Sequence, residues 1–133
     1  MKYLLDTNVC IRYLNGRSES VRRHVESLHP KNIVLCSVVK AELSYGAMKS
    51  ANPARNIQNQ KKFTNRFVSL PFDDDAAEIY GRIRSELEKS GRPIGPNDFM
   101  IAAVALNHDV TLVTHNTREF GRVKYLKMTD WEL

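Results

Sequence analysis

The chain is poor in cysteine, with two among 133 residues. Cys10 and Cys36 lie in apolar surroundings with no CxxC spacing, so two buried free thiols are expected rather than a disulfide scaffold. The four histidines have no zinc-ligand spacing, and no structural zinc is expected. No apolar run approaches the ~20 residues that cross a bilayer. The opening Met1-Lys2-Tyr3 runs into Asp6 and lacks the pattern of a signal peptide. A cytoplasmic protein without a membrane span is expected. There is also no internal repeat, no low-complexity tract and no linker rich in Pro, Gly or Ser. Residues 1–133 therefore read as one domain, and a domain of that size buries roughly two-thirds of the surface its unfolded chain exposes.

What is present is an excess of positive charge, 20 Lys and Arg against 15 Asp and Glu, for a net charge of +5. The balance favours an anionic partner, of which nucleic acid is the commonest. The cations gather in Arg22-Arg23, Lys61-Lys62-Arg66, Arg82-Arg84-Lys89-Arg92 and Arg118-Arg122-Lys124-Lys127. Among them Arg82, Arg84, Arg92 and Arg118 are candidates for holding a nucleic-acid backbone.

Hydrophobic periodicity predicts strands at 2–6, 33–36, 70–72, 111–114 and near 125–128, with helices at 7–15, 18–28, 37–50, 53–69, 74–90 and 97–107. Strands alternating with helices indicate an α/β protein with a central, mostly parallel sheet. Asp73-Asp74-Asp75 precedes a helix and reads as a cap with exposed acids, which the helix dipole favours, rather than a metal cluster.

Several short apolar runs end at an acid or an amide, far apart in sequence: Asp6, Glu42, Asp98, and Asn116 with Glu119. In a parallel sheet such ends collect at the carboxyl edge, where open α/β proteins bind ligands. Asp6 follows the apolar Tyr3-Leu4-Leu5 and also suits a helix cap. Glu42 shares a helix face with Val38, and a Glu so placed should be substantially buried, which is rare unless it is paired or metal-bound. Gly91-Arg92-Pro93-Ile94-Gly95-Pro96-Asn97 is a shaped loop that delivers Asp98 to the first turn of an apolar helix. Converging carboxylates with no cation near them in sequence call for a divalent ion, and oxygen ligands select Mg²⁺ or Mn²⁺. An acidic pocket in a basic rim suggests phosphodiester cleavage. His115 adjoins the same edge, but strand alternation turns it away.

The Leu5-Asp6-Thr7-Asn8 opening, the Ser37 and Ala41-Glu42-Leu43 block, the 91–98 loop, and Leu112 to Phe120 with Asp130-Trp131 together resemble a PIN-domain ribonuclease, and more narrowly the VapC toxins of type II toxin–antitoxin systems. The resemblance spans nearly the whole chain. It implies a PIN-like three-layer α/β/α sandwich and a Mg²⁺- or Mn²⁺-dependent endoribonuclease, with Asp6, Glu42 and Asp98 as the metal-binding core. Glu119 falls where the family often has a further acid, and Asn116 where many members carry Asp. The wording of the last two blocks is similar to members that cut transfer RNA, the initiator tRNA anticodon loop among them. The resemblance further implies a VapB-type antitoxin and a homodimer. The antitoxin would occupy a groove between helices 18–28 and 37–69 lined by Leu43, Tyr45, Met48, Phe63 and Phe67. Two rivals remain: a non-catalytic RNA-binding module of the same fold, and a phosphatase or receiver-type domain. Asn8 counts against the latter, because a dehalogenase-type phosphatase needs a second Asp there.

Overall fold

Strands buried on both faces need covering layers on both sides, and the chain supplies them. Ile33–Cys36 and Thr111–Val113 are buried at every position, the pattern of a parallel sheet sandwiched between helices. The computed structural model describes residues 1–133. Its elements run β1 (Tyr3–Leu5), α1 (Thr7–Leu14), α2 (Glu19–Ser27), β2 (Ile33–Cys36), α3 (Ser37–Met48), α4 (Pro53–Thr64), β3 (Val68–Leu70), α5 (Asp74–Lys89), α6 (Pro96–His108), β4 (Thr111–Val113), α7 (Thr117–Phe120) and β5 (Met128–Thr129), with a 3₁₀ turn at Pro30–Asn32. The sheet has the order β3-β2-β1-β4-β5. All four pairings are parallel, so the sheet is wholly rather than mostly parallel.

Central β1 sets Leu4 against Val34 on one side and against Leu112 on the other. The chain builds outward from β1 through β2 to β3, then returns to the far side of β1 for β4 and β5. The reversal falls between β1 and β4, and the crevice at their carboxyl ends is the topological switch point where such sheets take ligands. The Asp6 amide donates across it to Val113 O at 3.0 Å.

Leu4, Leu5, Leu35, Leu112, Phe99 and Ile101 are fully shielded at the centre of the core. Along α6 the run Ile101 to Ala105 is buried without interruption, and its alanines let the helix lie close to its neighbours. α5 packs antiparallel to α6: Asp73, which caps α5 by accepting the Ala76 amide at 3.0 Å, also accepts from Asn107 Nδ2 at 3.3 Å. The acidic triplet is thus a cap, as expected. Both cysteines are free and buried. Burial, with the neighbouring Asp6 charge, pushes the Cys10 thiol far above its ordinary range. No helix is long and apolar enough to cross a membrane.

The predicted elements need four corrections. α4 stops at Thr64, and β3 occupies 68–70 rather than 70–72. Pro71 has no amide to give a ladder, so the strand has to precede it. Tyr125 has a φ of +69°, outside any extended conformation, and the last strand therefore begins only at Met128. The short helix α7 was not foreseen. The expected groove also shifts: Phe63 and Phe67 belong to the buried core, one cleft lies between α1, α3 and α4 with Ile11, Leu14 and Leu43 along it, and Tyr45 lines a second between α1, α3 and α6.

Candidate active site

Asp6 ends β1 and caps α1, with its Oδ1 accepting the Thr7 amide at 2.7 Å. Its Oδ2 accepts from the Thr114 hydroxyl, at the end of β4, at 2.8 Å. Both bonds are buried, and Thr114 is wholly shielded. Burial raises the Asp6 carboxyl above its ordinary range, the hydrogen bonds from Thr114 and Thr7 pull it back, and the charge of Glu42 pushes it up again.

Glu42 stands in the second turn of α3. Thr7 Oγ1 donates to its Oε1 at 2.5 Å, and Asn97 Nδ2 donates to its Oε2 at 3.3 Å. Thr7 therefore orients two acids at once, Asp6 through its amide and Glu42 through its hydroxyl. The expected burial of Glu42 is only partial, because the side chain forms part of the wall of two open clefts.

Asp98 lies in the first turn of α6 and is half-buried. Its carboxyl is pushed up to about 6, first by burial and then by the charges of Asp6, Glu42 and Glu119. A Cβ on Gly95 would sit in van der Waals contact with Asp98 Oδ2, at 3.4 Å, so the loop runs directly beside this carboxylate.

Asn116 and Glu119 complete the edge. Asn116 Nδ2 donates to Glu119 Oε2 at 2.7 Å, and the Asn116 amide donates to the Thr114 hydroxyl at 3.0 Å. A continuous line of hydrogen bonds thus runs from Glu119 through Asn116, Thr114, Asp6 and Thr7 to Glu42 and Asn97. The structure brings together every acid and amide singled out in the sequence. None of Asp6, Glu42, Asp98 and Glu119 forms an ion pair. The cations that do pair are taken by other acids, as in Arg12–Glu132, Arg84–Glu88 and Lys127–Asp109. Carboxylates this close and this little compensated suit a divalent cation held by oxygen ligands.

Of the basic candidates, Arg92 is exposed in the loop before Asp98, and Arg118 is exposed on α7 beside Asn116 and Glu119. Arg82 is exposed on α5. Arg84 is committed along that helix to Glu88 Oε2 at 3.0 Å and to the Tyr80 hydroxyl.

Two contributions escaped the sequence. Thr7 and Thr114 orient the acids, and single threonines after a strand carry no signal that separates them from capping residues. His115 Nδ1 lies 2.9 Å from Asp130 Oδ2 and 3.7 Å from Glu132 Oε2, partners that only the fold brings to it. His115 thus turns toward the C-terminal segment, on the far wall of a cleft that Asp6 and Asn116 also line.

A parallel sheet with an acid-lined switch point defines a class, and the sequence matches the family described as PIN domain over residues 3–125; the chain belongs to that family. Its relatives narrow the comparison. It is 43% identical over 131 residues to the tRNA(fMet)-specific endonuclease VapC of Shigella flexneri, an alignment covering 98% of each chain. It is 38% identical over 133 residues to ribonuclease VapC2 of Rickettsia felis, covering 99% of each. Among solved structures, VapBC2 of Rickettsia felis bound to a DNA fragment from its promoter superposes with a TM-score of 0.92 at 37% identity, covering 98% of this chain and 99% of that one. DNA-bound VapBC of Salmonella typhimurium gives 0.92 at 38% identity, covering 98% of both.

Proposed function

We propose that this chain is the toxin of a VapBC-type pair: an endoribonuclease that depends on Mg²⁺ or Mn²⁺, cleaves transfer RNA, and is restrained by a VapB-type antitoxin. The observation that carries the reading is the set of four carboxylates, Asp6, Glu42, Asp98 and Glu119, gathered without an ion pair at the switch point of the sheet. A binding module that used only its basic rim would have no reason to keep charges that oppose one another. Asp6, Asp98 and Glu42 are the residues that would hold the ion, and the all-oxygen set fits a hard cation. When bound, the ion supplies Lewis acidity toward a phosphoryl oxygen and a nucleophile at neutral pH.

The chain's own residues do the rest. Thr114 and Thr7 hold the Asp6 and Glu42 carboxylates in one orientation each. Glu119 gives one oxygen to Asn116 and keeps the other for a ligand or a proton. Asn116 holds that carboxylate without adding charge, so the acids would bind one ion tightly and a second only weakly in the absence of RNA. Arg92 and Arg118, with Arg82 and Arg84 farther along α5, bind the RNA backbone before the chemical step.

The named specificity of the Shigella flexneri relative supports tRNA as substrate, and the initiator tRNA anticodon loop is the first place to look for the cut. The VapBC structures, with a Mycobacterium tuberculosis complex described as a member of the VapBC family of toxin-antitoxin systems, support an antitoxin partner. The cleft between α1, α3 and α4, with Tyr45 and Met48 exposed beside it, is where an apolar anchor of that partner would sit. A cytoplasmic homodimer is the working form. Mapping new RNA ends after brief expression in cells tests the reading. A cut confined to tRNA, absent from an Asp98→Asn control and abolished in vitro by EDTA, is expected; intact RNA beside abundant folded protein would overturn it.

A further inference from the structure

The mechanism above uses the α5 and α7 flank of the acid cluster and leaves the other flank idle. On that side a cleft of about 520 Å³ opens directly onto Asp6, and only one of its nine lining residues is hydrophobic. Two arginines reach it from α1 and its C-terminal turn. Gly16, at φ +69°, reverses the chain there, so that the Arg17 amide returns to Arg12 O at 3.2 Å and to Asn15 Oδ1 at 3.0 Å. The turn places both arginines at the end of a helix where exposed carbonyls favour cations.

These cations are available. Arg17 has no ion pair, and Arg12 has only Glu132, a largely buried acid of the same cleft, at 3.5 Å and without a hydrogen bond, which leaves most of its fork of N–H donors free. Opposite them, His115 gives Nδ1 to Asp130 at 2.9 Å, which leaves its Nε2 without a partner on an exposed ring. Asn8 and Asn15, both exposed, add amide groups between the cations and Asp6. A phosphate and a base edge match this wall, since guanidinium groups bind phosphate oxygens and amide side chains pair with base edges.

Resting on the nuclease reading, we propose that this cleft is the subsite for the nucleotide next to the scissile phosphate, with Arg12 and Arg17 holding its phosphate and Asn8 and Asn15 reading its base. The arrangement separates two tasks. The α5 and α7 flank holds the RNA body, and this flank sets where the strand is cut.

The test is steady-state cleavage of an end-labelled initiator tRNA transcript with Mn²⁺. Arg12→Ala and Arg17→Ala should each raise KM roughly tenfold, leave kcat within about twofold, and flatten the log KM against log salt slope by about 0.7. Asn8→Ala and Asn15→Ala should relax the base preference beside the cut in transcripts substituted there. Lys127→Ala, an exposed cation paired with Asp109 at the opposite edge of the sheet, is the control and should change neither KM nor slope. An Arg12→Ala/Arg17→Ala double variant with wild-type KM and salt slope would overturn the subsite while leaving the nuclease reading intact. A loss of kcat at unchanged KM would also overturn it, because these groups would then act in the chemical step. A wild-type protein that cleaves no transcript removes the nuclease reading and the subsite together, and is told apart by the absence of any activity to compare.

Discussion

Asp98→Asn should make the metal-free protein more stable while ending its activity. In the folded chain the Asp98 carboxyl is pushed up to about 6 by burial and by three neighbouring acids, from an ordinary 3.8. At neutral pH the ionised group is therefore held against its preference, with an upper bound of about 3 kcal/mol at 1.36 kcal/mol per pKa unit. The residue is only half-buried, and solvent screening roughly halves that bound to about 1.5 kcal/mol. The first turn of α6 favours a negative charge by about 0.5 kcal/mol, which the amide forfeits. The net gain is about 1 kcal/mol, or roughly 3–5 °C in Tm for a chain of this length.

The sign with pH follows from linkage. A carboxyl raised in the folded state binds more protons there than when unfolded, so the penalty is complete above the folded value and fades as pH falls from about 6 to about 4. Thermal denaturation in EDTA should show the variant ahead at pH 7.5 and level with wild type near pH 4. Adding Mn²⁺ should reverse the order, because only wild type gains from binding the ion tightly. A variant less stable than wild type in EDTA at pH 7.5 would show that Asp98 is held by favourable contacts and not against repulsion.

Thr114→Val removes the hydroxyl that donates to Asp6 and accepts from the Asn116 amide; chemical denaturation should register a loss of about 1–2 kcal/mol, and an unchanged midpoint would show that the bond is dispensable. Asp6→Asn and Glu42→Gln should each cut tRNA cleavage by at least about a hundredfold, and the double variant should be no worse than the poorer single, since residues of one unit do not add; multiplicative losses would separate them into independent sites. Asn116→Asp adds a carboxylate beside Glu119, and calorimetric titration with Mn²⁺ in the absence of RNA should move from one tight site to two; two tight sites in the unaltered protein would show that the amide is no obstacle.

The acids were legible because each adjoins an apolar run, Asp6 after one, Asp98 before one and Glu42 within one, and hydrophobic periodicity places the junctions of such runs at a sheet edge. Asp6 after Tyr3–Leu5 and Asp98 at the head of α6 needed nothing more. The boundary errors have local causes. Phe67 and the residues before it continue a helical pattern, yet α4 ends at Thr64 because pairing of Val34 with Val68 draws the chain into the sheet from Val68 onward, and Pro71 closes the strand. Tyr125 sits in a run with strand-like composition but in a left-handed conformation, which no propensity reveals. The exposure of Glu42 could not be read from its helix face alone, because it lines one cleft with α1 and α4 and another with α1 and α6. The pairing of His115 with Asp130 depends on the path of the C-terminal turn and has no periodic signature.

The layout of the sheet also bears on the chain's own synthesis. β1 is made first, yet one of its two neighbours, β4, lies more than a hundred residues later, as the pairing of Leu4 with Leu112 shows. Glu119 and Asp130 come later still. Chains emerge from the ribosome amino end first, so a growing chain holds Asp6 and Glu42 long before it has the strand that locks Asp6 through Thr114. A chain that ends before β4 and α7 cannot carry the assembled acid cluster. On the proposed reading, a chain still being translated is thereby harmless to its ribosome, and chains released before β4 by a frameshift or a stop codon are inert.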